Sequence, residues 1–141
     1  MDVFDKIISG EFISKKLYED DKVIAILDLS QATIGHTLVI PKKCVKNILE
    51  IDQETLVHTT KVVQMLCLKL KEKLNCQGFN ILNNCNEVAG QTVPHFHIHI
   101  IPRYTDDNSK LMFVNDYKKT NASDANNEGK YDLDKILNQI L

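Results

Sequence analysis

Pro94-His95-Phe96-His97-Ile98-His99-Ile100-Ile101-Pro102 is the stretch around which the rest of the chain is organised. Its histidines fall at i, i+2 and i+4. In an extended segment, alternate side chains share a face, so His95, His97 and His99 would form a row with Cα atoms roughly 6.5–7 Å apart from one to the next. Phe96, Ile98 and Ile100 would cover the opposite face, which needs a core. The bracketing prolines, Pro94 and Pro102, sit where they do not interrupt a ladder. Imidazole titrates near neutral pH. Such a row can combine a nucleophile, a proton donor and a hydrogen-bonding partner. With three of the chain's five histidines in strict alternation, a polar strand face that carries them by chance is a poor explanation.

The bulk properties narrow the field. A chain of 141 residues with 43% hydrophobic content is most simply one domain with an ordinary core. A formal charge of -2 and a pI near 6.2 provide no basic field for a nucleic-acid polymer. A small anion remains possible, since it needs only local donors. No apolar run approaches the ~20 residues of a membrane span, and Met1 to Asp5 lack the basic and apolar regions of a signal peptide. The expectation is an intracellular, cytoplasmic protein. Cys44, Cys67, Cys76 and Cys85 have no CxxC spacing and read as reduced thiols.

Outward from the histidines, the pattern predicts an α+β domain. Val3, Phe4, Ile7 and Ile8 mark a short helix that Asp2 can cap and Gly10 can end. Leu17-Tyr18-Glu19, Val23–Leu27, His36–Ile40 (stopped by Pro41) and Phe79–Leu82 read as strands. Between Asp52 and about Leu74, the residues Leu56, Val63, Leu66, Leu70 and Leu74 form a stripe of helical period. That helix would cross one face of an antiparallel sheet of about five strands. The other face, with the histidines, would be open to ligand. His58, off the main stripe, reads as a surface residue. The loops from Leu29 to Gly35 and from Asn83 to Gln91 are rich in small and polar residues. The chain after Tyr104 is polar, with an apolar island at Leu111–Val114, a stretch at Asn121–Gly129 that reads as flexible, and a final helix capped by Asp132. We take residues 1–141 as one domain with its core at about 1–104 and a tail at 105–141.

These residues resemble the histidine triad family of nucleotide hydrolases and transferases, in its compact Hit-like or Hint-like form. The signature His-φ-His-φ-His-φ-φ, with φ apolar, is met at every position from His95 to Ile101. Phe4–Glu11, Tyr18–Asp20, Ala25–Asp28 and Gly35–Lys42 resemble the family's N-terminal helix and first three strands. Asn83-Asn84 and Ala89–Val93 resemble its phosphate loop. The resemblance implies that His97 attacks the α-phosphorus of a nucleotide to form a nucleotidyl-imidazole, which water then releases. It implies that His99 and Thr92 assist the leaving group, and that His95 and His36 hold the row and the phosphate. Asn84 and Gln91 would bind phosphate. Asp28 would bind the ribose, with Phe12, Ile26 and Leu29 as an apolar wall for the base.

The expected substrates are purine nucleoside phosphoramidates or related adenylates. The alternatives are dinucleoside polyphosphate hydrolysis and a nucleotide-binding regulatory protein with little turnover. Relatives of this type are mostly homodimers, and Val62, Met65 and Leu68 offer a second apolar helix face for a partner copy. Some relatives carry zinc on two cysteines near the N-terminus and a histidine after the third strand. The corresponding positions here are Asp2, Asp5 and Cys44, so neither metal nor cofactor is expected. A three-histidine metal centre is also unattractive, because a straight strand spreads the imidazoles over about 13 Å. Cys85 stands where a glycine is common and is expected to carry any positive-φ strain.

Overall fold

The computed structural model describes residues 1–107 and 131–141; the island at 111–114 and the stretch at 121–129 lie outside the described residues. The chain divides into two compact units, Met1–Asp107 and Asn108–Leu141.

In the first unit, a short helix α1 (Val3–Ile8) precedes strands β1 (Lys16–Glu19), β2 (Val23–Leu27) and β3 (Thr37–Pro41). A long helix α2 (Gln53–Leu74) follows, then β4 (Gly78–Leu82), a one-turn 3-10 helix (Glu87–Ala89) and β5 (Ile98–Arg103). The strands form one antiparallel sheet in the order β1-β2-β3-β5-β4. Asp52 caps α2 by accepting the Thr55 N–H, and Asn75 ends it in a left-handed conformation. In the second unit, α3 (Leu133–Ile140) is capped by Asp132, which accepts the Lys135 N–H.

Both faces of the sheet are covered. Val23, Ala25, Val39, Phe96, Ile98 and Ile100 pack with Val62, Val63, Leu66 and Leu70 of α2. Ile24, Ile26, Leu38 and Ile40 pack on the opposite side with Phe4, Ile7 and Ile8 of α1. This explains why Val23–Leu27 is a continuous apolar run instead of an alternating one. It also corrects the expectation of an open histidine face. The short α1 roofs part of it, with the Phe4 ring 5.8 Å from His95 and 4.9 Å from His97, both edge-on.

Other local expectations change too. Regular pairing in β5 begins only at Ile98, with Leu38 opposite His99. His95 and His97 precede it, His95 in a bend with its N–H donating to the Val93 carbonyl at 2.8 Å, and the Phe96 N–H between them donates to the Val45 carbonyl at 2.7 Å. Pro41 closes β3 from inside the strand. Val62 belongs to the core. His58 is half-buried and bonds Asp20 at 2.8 Å, joining α2 to the β1–β2 turn. No helix among the described residues is long and apolar enough to cross a membrane.

Candidate active site

The three triad histidines do not share one environment. His95 is fully buried, His97 nearly so, and His99 is half-buried. His36 comes from the turn ahead of β3, where Gly35 has φ +96 and a Cβ would meet Leu74 and Pro102. That turn is braced by Gln31, whose amide donates to the Asp28 and His36 carbonyls and whose Oε1 accepts the Gly35 N–H.

Hydrogen bonds assign the tautomers. Nδ1 of His97 donates to the His95 carbonyl at 2.7 Å, so in the neutral ring Nε2 carries the bare lone pair. Nδ1 of His36 accepts the Ala32 N–H at 3.1 Å. Its proton therefore lies on Nε2, which donates to Nδ1 of His99 at 2.9 Å. In neutral His99 the proton is then on Nε2. Adjacent rings, with centroids 5.0 Å apart, thus carry opposite tautomers: one offers a lone pair, the other an N–H.

Charge follows burial. Burial lowers the pKa of His97, with the bond to the His95 carbonyl working against it. Burial lowers His36 as well, opposed by Asp28, whose Oδ2 lies 3.7 Å from Nε2. Burial, then the neighbouring His97 and His36 rings, push His99 down to about 4. At neutral pH these three rings are uncharged, as a nucleophilic imidazole needs to be.

The structure spreads the remaining expected residues around this row. Asp28 directly follows β2, with Oδ1 accepting the Ser30 N–H at 2.7 Å. Phe12 is partly exposed, with the Lys6 ammonium 5.0 Å from its ring, and Leu29 is almost wholly exposed. Ile26 is buried beneath α1. Asn84 is half-buried and donates to the Gly90 carbonyl at 3.3 Å, while Thr92 is exposed. Gln91 departs from its expected role. Its Oε1 accepts the Asn86 N–H, and its Nε2 donates to the Lys46 and Val93 carbonyls. Both amide hydrogens are used inside the protein, so Gln91 braces the loop and has no hydrogen left for a phosphate. Asn83, which no motif singles out as a ligand, donates to the His97 carbonyl at 2.8 Å.

The sequence profile of the HIT domain matches residues 9–106. The chain belongs to the HIT family. It is 46% identical over 102 residues to the Hit protein of Bacillus subtilis, spanning 72% of this chain and 70% of that one. The crystal structure of a HIT family member from Bacillus subtilis superposes with a TM-score of 0.80 at 37% identity, covering 99% of this chain and 94% of that one. A zinc-bound histidine triad family protein from Mycobacterium smegmatis is 36% identical over 77% of this chain and 79% of its own, with a TM-score of 0.74. A plant relative, the adenylylsulfatase HINT3 of Arabidopsis thaliana, is 38% identical over 105 residues, 74% of this chain and 53% of its own length.

Zinc in a HIT relative raises the question of whether this chain has the donors for it. Asp2, Asp5, Cys44 and His95 converge, with one possible ligand atom from each within 4.8 Å of all the others. Nδ1 of His95 lies 3.2 Å from Asp2 Oδ2 and 3.6 Å from Asp5 Oδ1, and Cys44 Sγ lies 3.9 and 3.8 Å from the same two carboxylates. Zinc bonds of about 2.0–2.3 Å imply tetrahedral edges of roughly 3.3–3.8 Å. Nε2 of His95 is held by the Pro41 carbonyl at 2.8 Å, the outer bond that metal-binding histidines ordinarily make. Burial opposes ionisation of Asp2, but the Asp5 N–H and the His95 ring outweigh it and hold its pKa below the usual carboxylate value. Burial and the two carboxylates push the Cys44 thiol up. The four donors therefore fit a divalent cation. Carboxylates are zinc ligands as thiolates are, so the loss of two thiols does not by itself decide against a metal here.

Proposed function

We propose that this HIT protein is a nucleotide hydrolase or transferase acting at the α-phosphate of purine nucleoside phosphoramidates or related adenylates. One observation carries the reading: neutral His97 leaves Nε2 bare, beside a His99 whose proton is directed to its own Nε2. In the first step His97 Nε2 bonds to phosphorus as the bond to the leaving group breaks. The electron pair departs with the leaving group, where the His99 N–H and the Thr92 hydroxyl can meet it. In the second step water attacks phosphorus and the P–N bond to His97 breaks, releasing nucleoside monophosphate with its proton lost to solvent. An acid-quenched single turnover should show the protein carrying one nucleotidyl group by mass spectrometry. An unmodified protein throughout a productive turnover would rule out the covalent route. A cation held by Asp2, Asp5, Cys44 and His95 would tie the first turn of α1 to the triad segment.

A second reading of the leaving group has support in the relative named as an adenylylsulfatase: the same two steps would release sulfate from adenylyl sulfate. Side-by-side kcat/KM values for a phosphoramidate and for adenylyl sulfate decide between them.

Asp28 is the residue we assign to the ribose. Oδ1 is engaged by Ser30, which leaves Oδ2 at the mouth of the His36 pair. Asp28→Ala should weaken adenosine monophosphate by about 1.5–3 kcal/mol, the range for a charged hydrogen-bond acceptor, with inorganic phosphate unaffected. Equal losses for both ligands in calorimetry would remove the assignment.

Assembly completes the reading. β4 is an edge strand, and its exposed Ile81 shares an apolar groove with Leu56, Val57, Val63 and Cys67 of α2. Unpaired edges and apolar grooves are surfaces that a second copy can cover. We assign the homodimer contact to this groove, which moves it from Val62, Met65 and Leu68 towards Val57 and Ile81. Ile81→Lys should then shift the protein to monomer in sedimentation analysis. Wild-type protein that sediments as a 16.1 kDa species at micromolar concentration would end the assignment.

A further inference from the structure

The loop between β4 and β5 holds one residue in a conformation that its side chain disfavours. Asn86 has φ 73 and ψ 163, a region essentially reserved for glycine. Among the described residues two other non-glycines have positive φ, Gln31 and Asn75. Asn75 is a left-handed helix cap, an ordinary place for asparagine. The strain expected at Cys85 in fact falls one residue later.

The backbone N–H and carbonyl of Asn86 and its side-chain Oδ1 are all held. Its N–H donates to Gln91 Oε1 at 2.8 Å, and its side-chain Oδ1 accepts Asn47 Nδ2 at 2.9 Å. Its carbonyl accepts the Ala89 and Gln91 N–H groups at 3.0 and 3.1 Å. Asn47 and Gln91 are both buried, at 4% and 5% exposure. Gln91 is anchored in turn to the Lys46 carbonyl at 2.7 Å. The 45–47 segment also receives the Phe96 N–H on the Val45 carbonyl. One backbone segment therefore supports both the loop and the histidine stretch. Across the loop, Asn83 reaches the His97 carbonyl and Asn84 reaches Gly90.

We propose that Asn47 and Gln91 are positioning residues that clamp Asn86 in a glycine-type backbone conformation and so hold the loop in the shape that receives the α-phosphate of a nucleotide. The ligand in this statement rests on the function proposed above; the clamp does not. Strained residues persist only where surrounding contacts over-determine them. Here those contacts come from two buried amides on either side of Asn86.

A double-mutant cycle tests the clamp. Asn47→Asp keeps an acceptor for the Leu49 N–H but removes the donor to Asn86. It should speed amide exchange in residues 86–91 about tenfold, the effect of releasing a strain of this kind, and weaken adenosine monophosphate by a similar factor. Asn86→Gly removes the steric cost and should raise the thermal midpoint. In Asn47→Asp/Asn86→Gly, loop protection should return to within about threefold of wild type, since glycine needs no tether. Asn47→Ala, alone and with Asn86→Gly, repeats the cycle without a buried charge. Unchanged loop exchange in both Asn47 variants, or failure of Asn86→Gly to restore protection in either pair, overturns the clamp. Exchange is read without ligand. A wild-type protein that does not bind adenosine monophosphate therefore counts against the nucleotide reading and leaves the clamp to be judged on exchange.

Discussion

His97→Ala is expected to lower turnover of an adenylate substrate by at least ~10⁴, equivalent to about 5.5 kcal/mol of barrier, while adenosine monophosphate still binds. The size follows from the ring's environment. Nδ1 is pinned to the His95 carbonyl, the Phe4 ring packs edge-on at 4.9 Å, and burial keeps the imidazole neutral. No other triad nitrogen can take over. The Nε2 of His95 is bonded to Pro41, and the Nδ1 of His99 faces His36. Removing a buried ring also costs stability, so His97→Asn, which keeps a donor for the freed carbonyl, separates loss of the nucleophile from loss of packing. Both variants should fail to form the nucleotidyl adduct in a quenched turnover. Either one retaining more than a tenth of wild-type turnover removes His97 from the role.

Much of this candidate site is legible in the sequence. Alternation alone placed His95, His97 and His99 opposite Phe96, Ile98 and Ile100, because an extended chain has no other way to arrange them. The α2 stripe and its Asp52 cap were equally readable. What escaped depends on contacts distant in sequence. α1 covers the histidine face because Ile24, Ile26, Leu38 and Ile40 need a partner there, and a six-residue helix gives little sign of where it docks. Val62 reads as a second-face residue on a helical wheel, but it is buried in the core cluster that also holds Phe96 and Ile98. Gln91 sits in a motif that suggests a phosphate ligand, yet its partners are the backbone at 46 and 93 and the Asn86 N–H. Asn47 belongs to no motif, and only its bond to Asn86, across 39 positions, marks it. The strain at Asn86 could have been sought near Asn83–Gln91 from the loop's composition, but composition does not say which residue takes the positive φ.

His36→Ala is expected to lower kcat by about 10², the lower end of what a positioned proton-transfer group contributes. Its ring is the only side chain that donates to His99 Nδ1 among the described residues, and it can do so because Ala32 occupies its own Nδ1. Without it, His99 is free to carry its proton on the inner nitrogen and present a lone pair to the leaving atom. His36→Gln can supply an amide N–H in the same direction and should recover at least tenfold of the loss, which a purely structural role would not predict. The pH profile gives an independent reading. His99 has its pKa lowered from 6.5 to about 4, by burial first, then His97, then His36. A depressed histidine stays neutral as pH falls through its ordinary value and takes up its proton only near the lowered one. Activity that requires neutral His99 is therefore retained as pH falls through 6.5 and lost on approaching 4. Removing His36 takes away one of the causes and opens the site to water, so the acid limb of kcat should move to higher pH. A His36→Ala enzyme with kcat within threefold of wild type and an unmoved acid limb would show that His99 needs no partner to set its tautomer.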